Sequence, residues 1–326
     1  MKSIFIDGQE IGGGHPCYLV AEIGINHNGD IQLAKQTINS AIEAGADAVK
    51  FQNYRTEDFV TDKSLKYTYI SQDQTVTESQ YEMFKRCELT PESLKDLKGY
   101  CDQKGIGFHS TPTSESGIQD LISIGTPVLK NGSDYLTNLP LIKVMANTGL
   151  PTVLSTGMAT VAEIDDAVRA FREIGPEQLV LLHCTSSYPT PENDVNLRRI
   201  PALAQIFDCP VGFSDHTAGT IAAIGAVALG ACWIEKHFTY NKNLPGPDHR
   251  FSADPEEFRL LVEGVRAIEQ NLGSSAVIPT SSEQLGRQEF RLSCVAARNL
   301  PVGYLLTEQD IEFQRPGTGL PPKAVD

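Results

Sequence analysis

The sequence predicts a (β/α)8 barrel, in which eight parallel strands form a ring and each strand is followed by a helix. Eight short apolar runs alternate with longer segments of helical periodicity, and together they occupy about 250 residues, the usual size of this barrel. All eight runs begin apolar and end polar, as expected where functional groups lie at the carboxyl ends of the strands. An open, doubly wound sheet is the alternative, but the first run is not followed by the GxGxxG turn of a dinucleotide-binding sheet.

The strands and helices can be assigned in order along the chain. Four of the helical segments, at 30–45, 90–105, 160–175 and 217–230, end in a glycine, the residue that often follows a helix carboxyl terminus. Before the first strand, SIFIDGQEIGGG contains an Asp-Gly pair, which predicts a hairpin that we expect to cover the barrel floor. The predicted strands are YLVAEIG (18–24), AVKFQ (48–52), GFHSTP (107–112), VLKNGS (128–133), PTVLSTG (151–157), LVLLHCT (179–185), VGFSDH (211–216) and WIEKHF (233–238).

The composition indicates a large buried core and disfavours several classes of partner. The chain has 326 residues, of which 40% are hydrophobic, and a net charge of −14 with a pI near 5.0. This acidity disfavours nucleic acid and anionic membranes as partners, and no apolar run approaches the roughly 20 residues that span a bilayer. The N-terminus lacks the apolar stretch of a signal peptide. Seven cysteines without a CxxC pair indicate a reducing compartment, so we expect a cytoplasmic protein.

Side-chain alternation sorts the polar residues at the strand ends into faces. Residues two positions apart on a strand point to the same side. If the polar faces point inward, lysines, hydroxyls, acids and imidazoles converge on one bowl at the mouth of the barrel. The pairs that share a face are Lys50 with Gln52, Ser214 with His216, and Glu235 with His237.

His216 and His237 close the last two predicted strands and indicate a metal site. A single strand histidine is more often a hydrogen-bonded core residue than a ligand. Neighbouring strands lie only about 4.8 Å apart, however, so two inward imidazoles there could share one ion. Two protein ligands leave positions open for water and substrate, which suits a Lewis acid. A ligand set without thiolate favours Mn²⁺, with Mg²⁺ or Co²⁺ in its place, over a closed zinc site.

Lys50 and Lys130 lie near the ends of the second and fourth predicted strands. Beside the hydroxyls of Thr111, Ser155 and Ser214, two ammonium groups favour a phosphate cradle. A Schiff-base lysine is the alternative, because barrel aldolases also carry a lysine at a strand end. The presence of two lysines and a metal site makes phosphate binding the preferred interpretation.

The acidic candidates are Glu22, Glu235 and Asp248. Glu22 follows the apolar LVA and would be costly to bury without a partner. Asp248 lies in NLPGPDHRFS (243–252), whose glycine and two prolines predict an ordered loop over the mouth. Asp248 or the neighbouring histidine could enter the site from this loop. Taken singly, four other histidines are expected to be structural: His27, His109, His183 and His249.

Eight segments of the chain resemble the sialic acid synthase family, in order and with matching spacing from about residue 17 to 273 and into the C-terminus. Enzymes of this family condense phosphoenolpyruvate with an N-acylated amino sugar. The resemblance implies a (β/α)8 barrel, then a small antifreeze-like (SAF, β-clip) domain, and a domain-swapped homodimer. The segments are AEIGINHNGD, GADAVKFQ, STPTSESG, LSTGMAT, LLHCTSSYPTP, GFSDHT, EKHFT and GPDH.

The resemblance also implies roles for individual residues. His216 and His237 are expected to bind the divalent cation, and Glu235 precedes the second of them as in the family. Arg315, in FQRPGTG, matches an arginine that the antifreeze-like domain extends into the partner's barrel. The expected phosphoenolpyruvate contacts are Lys50, Thr111, Lys130, Ser133, Ser155 and Ser214, and the groups expected around the acceptor sugar and the attacking water are Glu22, Gln52, Tyr188 and Asp248.

Two departures from the family pattern concern acceptor recognition. Ser186, a shorter donor, follows HCT where relatives often have asparagine. KNGSDYL places Tyr135, with Asp134 beside it, where some sialate synthases have the glutamate of KIGSGE. The acceptor therefore stays open between N-acetylmannosamine, its 6-phosphate, and a 6-deoxy diacetamido hexose that would lead to legionaminic or pseudaminic acid.

The expected domain organisation is a catalytic barrel with its hairpin at 1–272, a linker at 273–288 and a partial antifreeze-like domain at 289–326. The last segment is shorter than the family's module, so we expect a truncated form. A segment of this length cannot bury an independent core, and we expect it to lean on the barrel or on another subunit.

Two other classes of function are the alternatives to the synthase. A Schiff-base aldolase would be trapped by borohydride in the presence of substrate and would be indifferent to a chelator. A non-catalytic sugar-binding protein on the same barrel would bind its ligand without turnover. The second is disfavoured because the candidate metal and phosphate groups are all present.

Overall fold

Eight parallel strands form the ring of a (β/α)8 barrel in the computed structural model, which describes residues 2–175 and 177–325. All eight predicted strands are present, with ends within a few residues of those expected from the sequence. The barrel is thereby confirmed. The strands are β1 (Tyr18–Gly24), β2 (Ala48–Asn53), β3 (Gly107–Pro112), β4 (Leu129–Asn131), β5 (Thr152–Ser155), β6 (Leu179–Cys184), β7 (Val211–Asp215) and β8 (Trp233–His237).

The strands pair in the order β3-β2-β1-β8-β7-β6-β5-β4, and β3 and β4 lie beside each other to close the ring. The register aligns the polar strand ends. Ser214 on β7 lies opposite Glu235 on β8, and His237 on β8 lies opposite Glu22 on β1. Since all the strands run the same way, their carboxyl ends meet at one rim of the barrel.

Eight helices follow the eight strands in alternation. Capping residues define the helix ends. The Asp30 side chain accepts a hydrogen bond from the backbone N–H of Gln32 at 2.7 Å and so caps the first helix. Gly105 (φ 72°) ends the second helix in the left-handed conformation that glycine adopts at low cost. The helices are α1 (Ile31–Glu43), α2 (Pro91–Lys104), α3 (Glu115–Ser123), α4 (Leu139–Asn147), α5 (Val161–Arg172), α6 (Arg199–Phe207), α7 (Ile221–Ala228) and α8 (Pro255–Leu272).

Side-chain alternation divides the core into two layers. On β1, Leu19, Ala21 and Ile23 belong to the cluster between strands and helices, whereas Tyr18 and Val20 belong to the cluster inside the barrel. Glu22 continues the inner series, because it lies two positions after Val20. The period-two pattern of one strand therefore fixes both the packing of the helices and the direction of a candidate site residue.

The N-terminal hairpin closes the amino end of the barrel, as predicted. Its strands, Ser3–Ile6 and Gln9–Gly12, pair antiparallel around Asp7 (φ 50°) and Gly8 (φ 79°). Two successive positive φ angles are the mark of the type I′ turn that joins tight hairpins. The hairpin places Ile4, Ile6 and Ile11 in the cluster inside the barrel. Burial of these apolar side chains therefore closes the amino end of the barrel.

A long connection between β2 and α2, which we call the β2–α2 excursion (residues 54–89), was not predicted from the sequence. It contains two short helices, Thr56–Phe59 and Gln80–Arg86, and an antiparallel hairpin formed by Lys66–Ser71 and Gln74–Ser79. Tyr54, Phe59 and Phe84 stack edge to face at 5.0–5.5 Å between ring centres and hold it together. The excursion thus has a small aromatic cluster of its own.

The chain divides into two units, and the second begins at Gly273. Its described residues include a short helix (Gln284–Glu289), which begins in the predicted linker and ends one residue beyond it, and one antiparallel pair of strands, Ser293–Ala296 and Ile311–Gln314. Within residues 273–325 no apolar side chain is buried, and Val302, Leu305 and Leu320 are strongly exposed. This unit therefore has no hydrophobic core of its own in a single chain. No described helix of the whole chain is long and apolar enough to cross a membrane.

The buried histidines predict a loss of stability in mild acid. Burial lowers the pKa of His109 to about 3 and that of His27 to about 4, so both side chains stay neutral in the folded protein at mildly acidic pH. In the unfolded chain the same two side chains have the ordinary histidine pKa of about 6.5 and take up protons below it. Stability is therefore full above pH 6.5 and falls as the pH drops toward these lower values. Between pH 7 and pH 5, each histidine should reduce the free energy of unfolding by roughly 2 kcal/mol.

The measurement is the urea-unfolding midpoint at the two pH values for the wild type, His109→Phe and His27→Asn. Each variant should show a smaller difference between pH 7 and pH 5, and a uniform loss of stability cancels in that difference. The exposed His15 supplies the control variant, His15→Gln. An unchanged pH difference in both buried variants would contradict this account.

Candidate active site

A cavity of about 390 Å³ opens at the carboxyl ends of the strands, a volume typical of small-molecule sites. Every site residue predicted within the barrel lines it, so the polar strand faces do point inward. Asp134 and Tyr135, which depart from the family pattern, line it as well. The predicted residues in the lining are Glu22, Lys50, Gln52, Thr111, Lys130, Ser133, Ser155, Ser186, Tyr188, Ser214, His216, Glu235, His237 and Asp248.

Lys50 lines the cavity and lies close to two buried acids. Its Nζ is 3.0 Å from Glu22 Oε2 on β1 and 3.5 Å from Glu235 Oε1 on β8. It also donates to Thr111 Oγ1 at 3.1 Å. All three charged side chains are buried, and β1 pairs with both β2 and β8. The register of three neighbouring strands thus assembles one compact charge cluster.

Lys130, on β4, reaches the same cluster from the opposite part of the ring. Its Nζ donates to Ser155 Oγ at 2.7 Å and to the Asn131 carbonyl at 3.0 Å, and it lies 3.7 Å from Glu235 Oε1. The Glu235 carboxylate also accepts from Ser214 Oγ at 3.2 Å. Glu235 therefore stands between the two ammonium groups, and hydroxyl donors surround the space that a phosphate would need.

Burial and neighbouring charges shift the pKa values of Glu22 and Glu235 in opposite directions. Burial raises the pKa of Glu22 above its ordinary value, against the effect of Lys50. Burial would also raise the pKa of Glu235, but Lys130 and Lys50 outweigh it and hold that pKa below the ordinary value. Burial lowers the pKa of Lys130, whereas Glu22 and Glu235 overcome burial at Lys50 and raise its pKa. Two carboxyls with pKa values pushed apart are typical of acid–base chemistry.

His216 and His237 face each other at the ends of β7 and β8, with ring centres 5.5 Å apart. His216 Nδ1 lies 2.9 Å from the carbonyl oxygen of Thr185, and a carbonyl only accepts, so Nδ1 carries a proton, and in the neutral ring Nε2 has the free lone pair. Tyr188 packs on the His216 ring at 4.1 Å, and Phe251 lies 5.1 Å from the His237 ring. Aromatic rings therefore fix the orientation of both imidazoles.

The donor set around these histidines fits a divalent cation. His237 Nδ1 is buried without a hydrogen-bond partner, and Asp248 Oδ2 lies 3.8 Å from it. Burial, reinforced by His216, holds the pKa of His237 well below its ordinary value, so the ring is neutral and able to bind metal. Among the described residues no cluster of three or more His, Cys, Asp or Glu side chains surrounds one point. The fit is to an open site with few protein ligands rather than to a closed structural one.

A second buried ion pair lies on the side of β7 and β8 that faces away from the cavity. Lys236 Nζ donates to Asp215 Oδ2 and to the Thr217 carbonyl, both at 2.8 Å, and Asp215 Oδ1 accepts from the backbone N–H of Thr217. Neither Lys236 nor Asp215 lines the cavity. Because Asp215 precedes His216 and Lys236 precedes His237, the pair ties together the strand ends that carry the two imidazoles.

The loop at 243–252 contributes to the cavity through Asp248 and Phe251. Burial raises the pKa of Asp248 to about 7. His249 points elsewhere: its Nδ1 lies 2.6 Å from Thr239 Oγ1 and its Nε2 lies 3.1 Å from Asn28 Nδ2. Of the two candidates in this loop, only Asp248 lines the cavity, and the hydrogen bonds of His249 hold the loop in place.

Several lining residues were missed because they lie outside the eight strand ends. The β2–α2 excursion contributes five of them, and the sequence signals that could have found them are the alternation in KYTYIS and the helical spacing of Gln80, Met83 and Phe84. Arg315, by contrast, belongs to the second unit, where its guanidinium lies 5.2 Å from the centre of the Phe290 ring. The residues from the excursion are Tyr54, Tyr67, Gln80, Met83 and Phe84.

Comparison with known proteins gives a consistent result. The chain matches the NeuB family over residues 37–277. It is 42% identical to the N,N'-diacetyllegionaminic acid synthase of Legionella pneumophila, over 96% of this chain and 89% of that protein. It is 35% identical to the pseudaminic acid synthase of Helicobacter pylori, over 94% of this chain and 91% of that protein.

A solved structure of similar architecture is that of N-acetylneuraminic acid (sialic acid) synthetase from Leptospira borgpetersenii serovar Hardjo-bovis in complex with citrate. The TM-score is 0.79 at 36% sequence identity, over 87% of this chain and 95% of that one. Similarity in sequence and in structure therefore extends over most of both chains.

The outer ion pair predicts an unequal effect of two lysine substitutions. Lys236→Met leaves Asp215 buried without its partner and should cost about 3–5 kcal/mol of stability, whereas Asp215→Asn combined with Lys236→Met should recover most of the loss. Lys242, which pairs with Glu257 at a partly exposed position, is the matched control, and Lys242→Met should cost less than about 1 kcal/mol. Urea-unfolding midpoints provide the comparison, and equal losses for the two lysine variants would contradict it.

Proposed function

The chain belongs to the NeuB family of sialic acid synthases, and we propose that it joins phosphoenolpyruvate to an N-acylated amino sugar, giving a nine-carbon 2-keto sugar acid and phosphate. The observation that carries this proposal is the presence, in one cavity, of two buried ammonium groups among hydroxyls and of two facing imidazoles. The first set suits an anionic phosphate ester, and the second suits a divalent cation beside an aldehyde.

Phosphoenolpyruvate would bind at the cavity floor. Lys50 and Lys130 supply the positive charge for its phosphate and carboxylate, and their ammonium groups are already held in place by Glu22, Glu235 and Ser155. Thr111, Ser133, Ser155 and Ser214 line the same region and supply hydroxyl donors. Preorganised donors of this kind stabilise charge that develops in the transition state.

His216 and His237 would hold the divalent cation, with Mn²⁺ preferred and Mg²⁺ or Co²⁺ as alternatives. When bound, such a cation polarises a carbonyl group and neutralises negative charge on its oxygen. The Thr185 carbonyl keeps the proton on His216 Nδ1 and so leaves Nε2 as the donor atom.

The bond-forming step joins C3 of phosphoenolpyruvate to the aldehyde carbon of the open-chain sugar, and the aldehyde oxygen then takes up a proton. Water adds to the electron-poor C2 and releases a proton, which balances the proton taken up by the aldehyde oxygen, and the tetrahedral intermediate then collapses to the 2-keto acid with loss of phosphate. Glu22, whose pKa burial raises, can hold or accept a proton near neutral pH. Gln52 Nε2 lies 3.4 Å from Glu22 Oε1, and Gln52, Tyr188, Ser186 and Asp248 line the remaining space for the sugar and the attacking water.

The proposed acceptor is N-acetylmannosamine or its 6-phosphate, and the alternative is a 2,4-diacetamido-trideoxyhexose, on which a legionaminate or pseudaminate synthase would use the same chemistry. The identities to relatives named for legionaminic and pseudaminic acid support the alternative, and the similarity to an N-acetylneuraminic acid synthetase supports the first. A panel of acceptors with fixed phosphoenolpyruvate and Mn²⁺, read out as released phosphate, is the direct test.

One observation favours a different reaction, that of a Schiff-base aldolase. Burial lowers the pKa of Lys130, and a depressed pKa is what an amine nucleophile needs. The two reactions are distinguished by treatment with borohydride in the presence of substrate, which traps a Schiff base and leaves the synthase untouched. A chelator should stop the synthase and spare the aldolase.

We further propose that the second unit is a short antifreeze-like domain and that the protein acts as a domain-swapped homodimer, with Arg315 entering the partner's site. The support is that this unit buries no apolar side chain within residues 273–325 and exposes Val302, Leu305 and Leu320. Apolar side chains exposed in this way favour a covering surface, and the mouth of a second barrel is the surface that the family arrangement offers.

Removal of either proposed metal ligand, His216 or His237, should weaken metal binding and turnover together. His216→Ala or His237→Ala leaves the cation one imidazole, and loss of several kcal/mol of transition-state stabilisation corresponds to at least about a 100-fold fall in kcat/KM. Mn²⁺ affinity, measured by electron paramagnetic resonance, should fall in parallel, while circular dichroism stays that of the wild type. His15→Ala is the control, since His15 lies outside the cavity. Unchanged Mn²⁺ affinity in both cavity variants would rule out these ligands.

Exchange between subunits tests the position of Arg315. Arg315→Ala should lower turnover without changing Mn²⁺ affinity. Refolded together, Arg315→Ala and His216→Ala chains should form mixed dimers with one intact site each, so that random pairing restores about a quarter of the wild-type activity. Mixed dimers that form but stay inactive would show that Arg315 does not act in the partner's site.

A further inference from the structure

Two segments that are far apart in the sequence meet beside the cavity. Asn26 and Asn28, which we call the asparagine pair, lie in the turn that follows β1, and the loop at 243–252 lies beyond β8. Because β1 and β8 are neighbours in the ring, the two segments leave the barrel side by side. The loop contributes Asp248 to the cavity, and the asparagine pair forms hydrogen bonds to the chain on both sides of that residue.

Asn28 holds the first part of the loop. Its Nδ2 donates to the Pro245 carbonyl at 2.7 Å and lies 3.1 Å from His249 Nε2. A carbonyl only accepts, so this atom is the amide nitrogen and its second hydrogen is available to His249. The imidazole therefore accepts at Nε2 and donates from Nδ1 to Thr239 Oγ1, at 2.6 Å. Burial lowers the pKa of His249 to about 4, which keeps the ring in this neutral form.

Asn26 holds the second part of the loop. Its Nδ2 donates to the Phe238 carbonyl and to Ser252 Oγ, both at 2.9 Å. Ser252 Oγ donates in turn to the backbone carbonyl of Asp248 at 2.6 Å. Asn26 and Ser252 are buried, and Asn26 Oδ1 has no hydrogen-bond partner among the described residues. The amide of Asn26 thus serves as a donor, and both of its hydrogens hold the chain around Asp248.

Gly246 allows the loop to approach the asparagine pair closely. Its φ of 150° lies where glycine is favoured over other residues. A Cβ at this position would lie 2.8 Å from His249 Cδ2 and 2.9 Å from Asn28 Oδ1, which is closer than packed atoms approach. The contact between Asn28 and His249 therefore requires glycine here.

We propose that the asparagine pair and His249 are positioning residues for Asp248, whose carboxyl group they hold beside His237. Asp248 Oδ2 lies 3.8 Å from His237 Nδ1, and a misplacement of about 1 Å at a reacting group can lower turnover about 100-fold. None of the three positioning residues is among the described residues that line the cavity, so they act through Asp248. The effect on turnover rests on the proposed condensation, whereas the effect on loop order needs no substrate.

The first test asks whether His249 acts through Asp248. His249→Phe removes both hydrogen bonds of the ring and should lower kcat for phosphate release about 10- to 100-fold, with little change in the KM for phosphoenolpyruvate. In an Asp248→Asn background the same substitution should lower kcat by less than about threefold, because the carboxyl group that it positions is already absent. Equal fold losses in the two backgrounds, or an Asp248→Asn variant with wild-type kcat, overturn the inference.

The second test separates hydrogen bonding from packing. His249→Gln keeps an acceptor for Asn28 near the position of Nε2, whereas His249→Phe keeps only an apolar ring. One retained hydrogen bond should leave kcat about fivefold higher in His249→Gln than in His249→Phe. Equal kcat in the two variants would show that packing alone determines the effect, and the inference would be wrong.

The third test measures loop order by amide hydrogen exchange, read out by mass spectrometry without substrate. Asn28→Gly removes two hydrogen bonds and should raise exchange within 243–252 by about tenfold, while the strands stay protected. Gln72→Gly is the matched control. Gln72 also donates to a loop carbonyl, that of Asn243 at 3.0 Å, but it is exposed, and glycine adopts the positive φ of both positions, 52° at Asn28 and 49° at Gln72, without strain.

The control variant should exchange nearly as slowly as the wild type. Equal exchange in the Asn28→Gly and Gln72→Gly variants contradicts the inference, whatever the activity. If the wild type releases no phosphate with N-acetylmannosamine, its 6-phosphate or the diacetamido sugar, the proposed condensation is wrong. The exchange measurement then decides by itself whether the asparagine pair holds the loop.

Discussion

Two ammonium groups and two carboxylates are buried together at the carboxyl end of this barrel, and each charge depends on the others. Lys50 would be costly to bury without Glu22 and Glu235, and Glu235 would be costly to bury without Lys50 and Lys130. The cluster is possible because parallel strands in register bring their ends to one rim. The floor is thus charged and ordered before any substrate enters, which lowers the reorganisation that an anionic substrate would require.

At the ends of β7 and β8, the inward side chains line the cavity and the outward side chains hold the two strands together. On β7 and β8 the inward residues are Ser214, His216, Glu235 and His237, while Asp215 and Lys236 between them form a buried ion pair on the other side. The same alternation that points the imidazoles into the cavity makes their direct neighbours available to hold the strand ends together. The positions of the two imidazoles therefore depend on the strand pair as a whole rather than on the histidines alone.

Much of this arrangement could be predicted from the sequence because it depends on short periods. The eight apolar runs gave the barrel, and alternation at Lys50, Ser214 and Glu235 gave the direction of the site residues. The β2–α2 excursion could not be predicted, since contacts such as that between Tyr54 and Phe84 are set by tertiary packing and leave no period. The choice of Asp248 over His249 in one loop likewise depends on hydrogen bonds to Thr239 and Asn28. The role of Arg315 rests on family resemblance alone.

The separate aromatic cluster of the β2–α2 excursion has a consequence for how such an enzyme can change over time. Tyr54, Phe59 and Phe84, with Ile25 and Cys87, form a cluster distinct from the two clusters of the barrel. None of these side chains belongs to the charge cluster of Lys50, Glu22 and Glu235. Substitutions in the excursion and substitutions at the strand ends should therefore have nearly additive effects on stability, so that each region can change in sequence without a compensating change in the other.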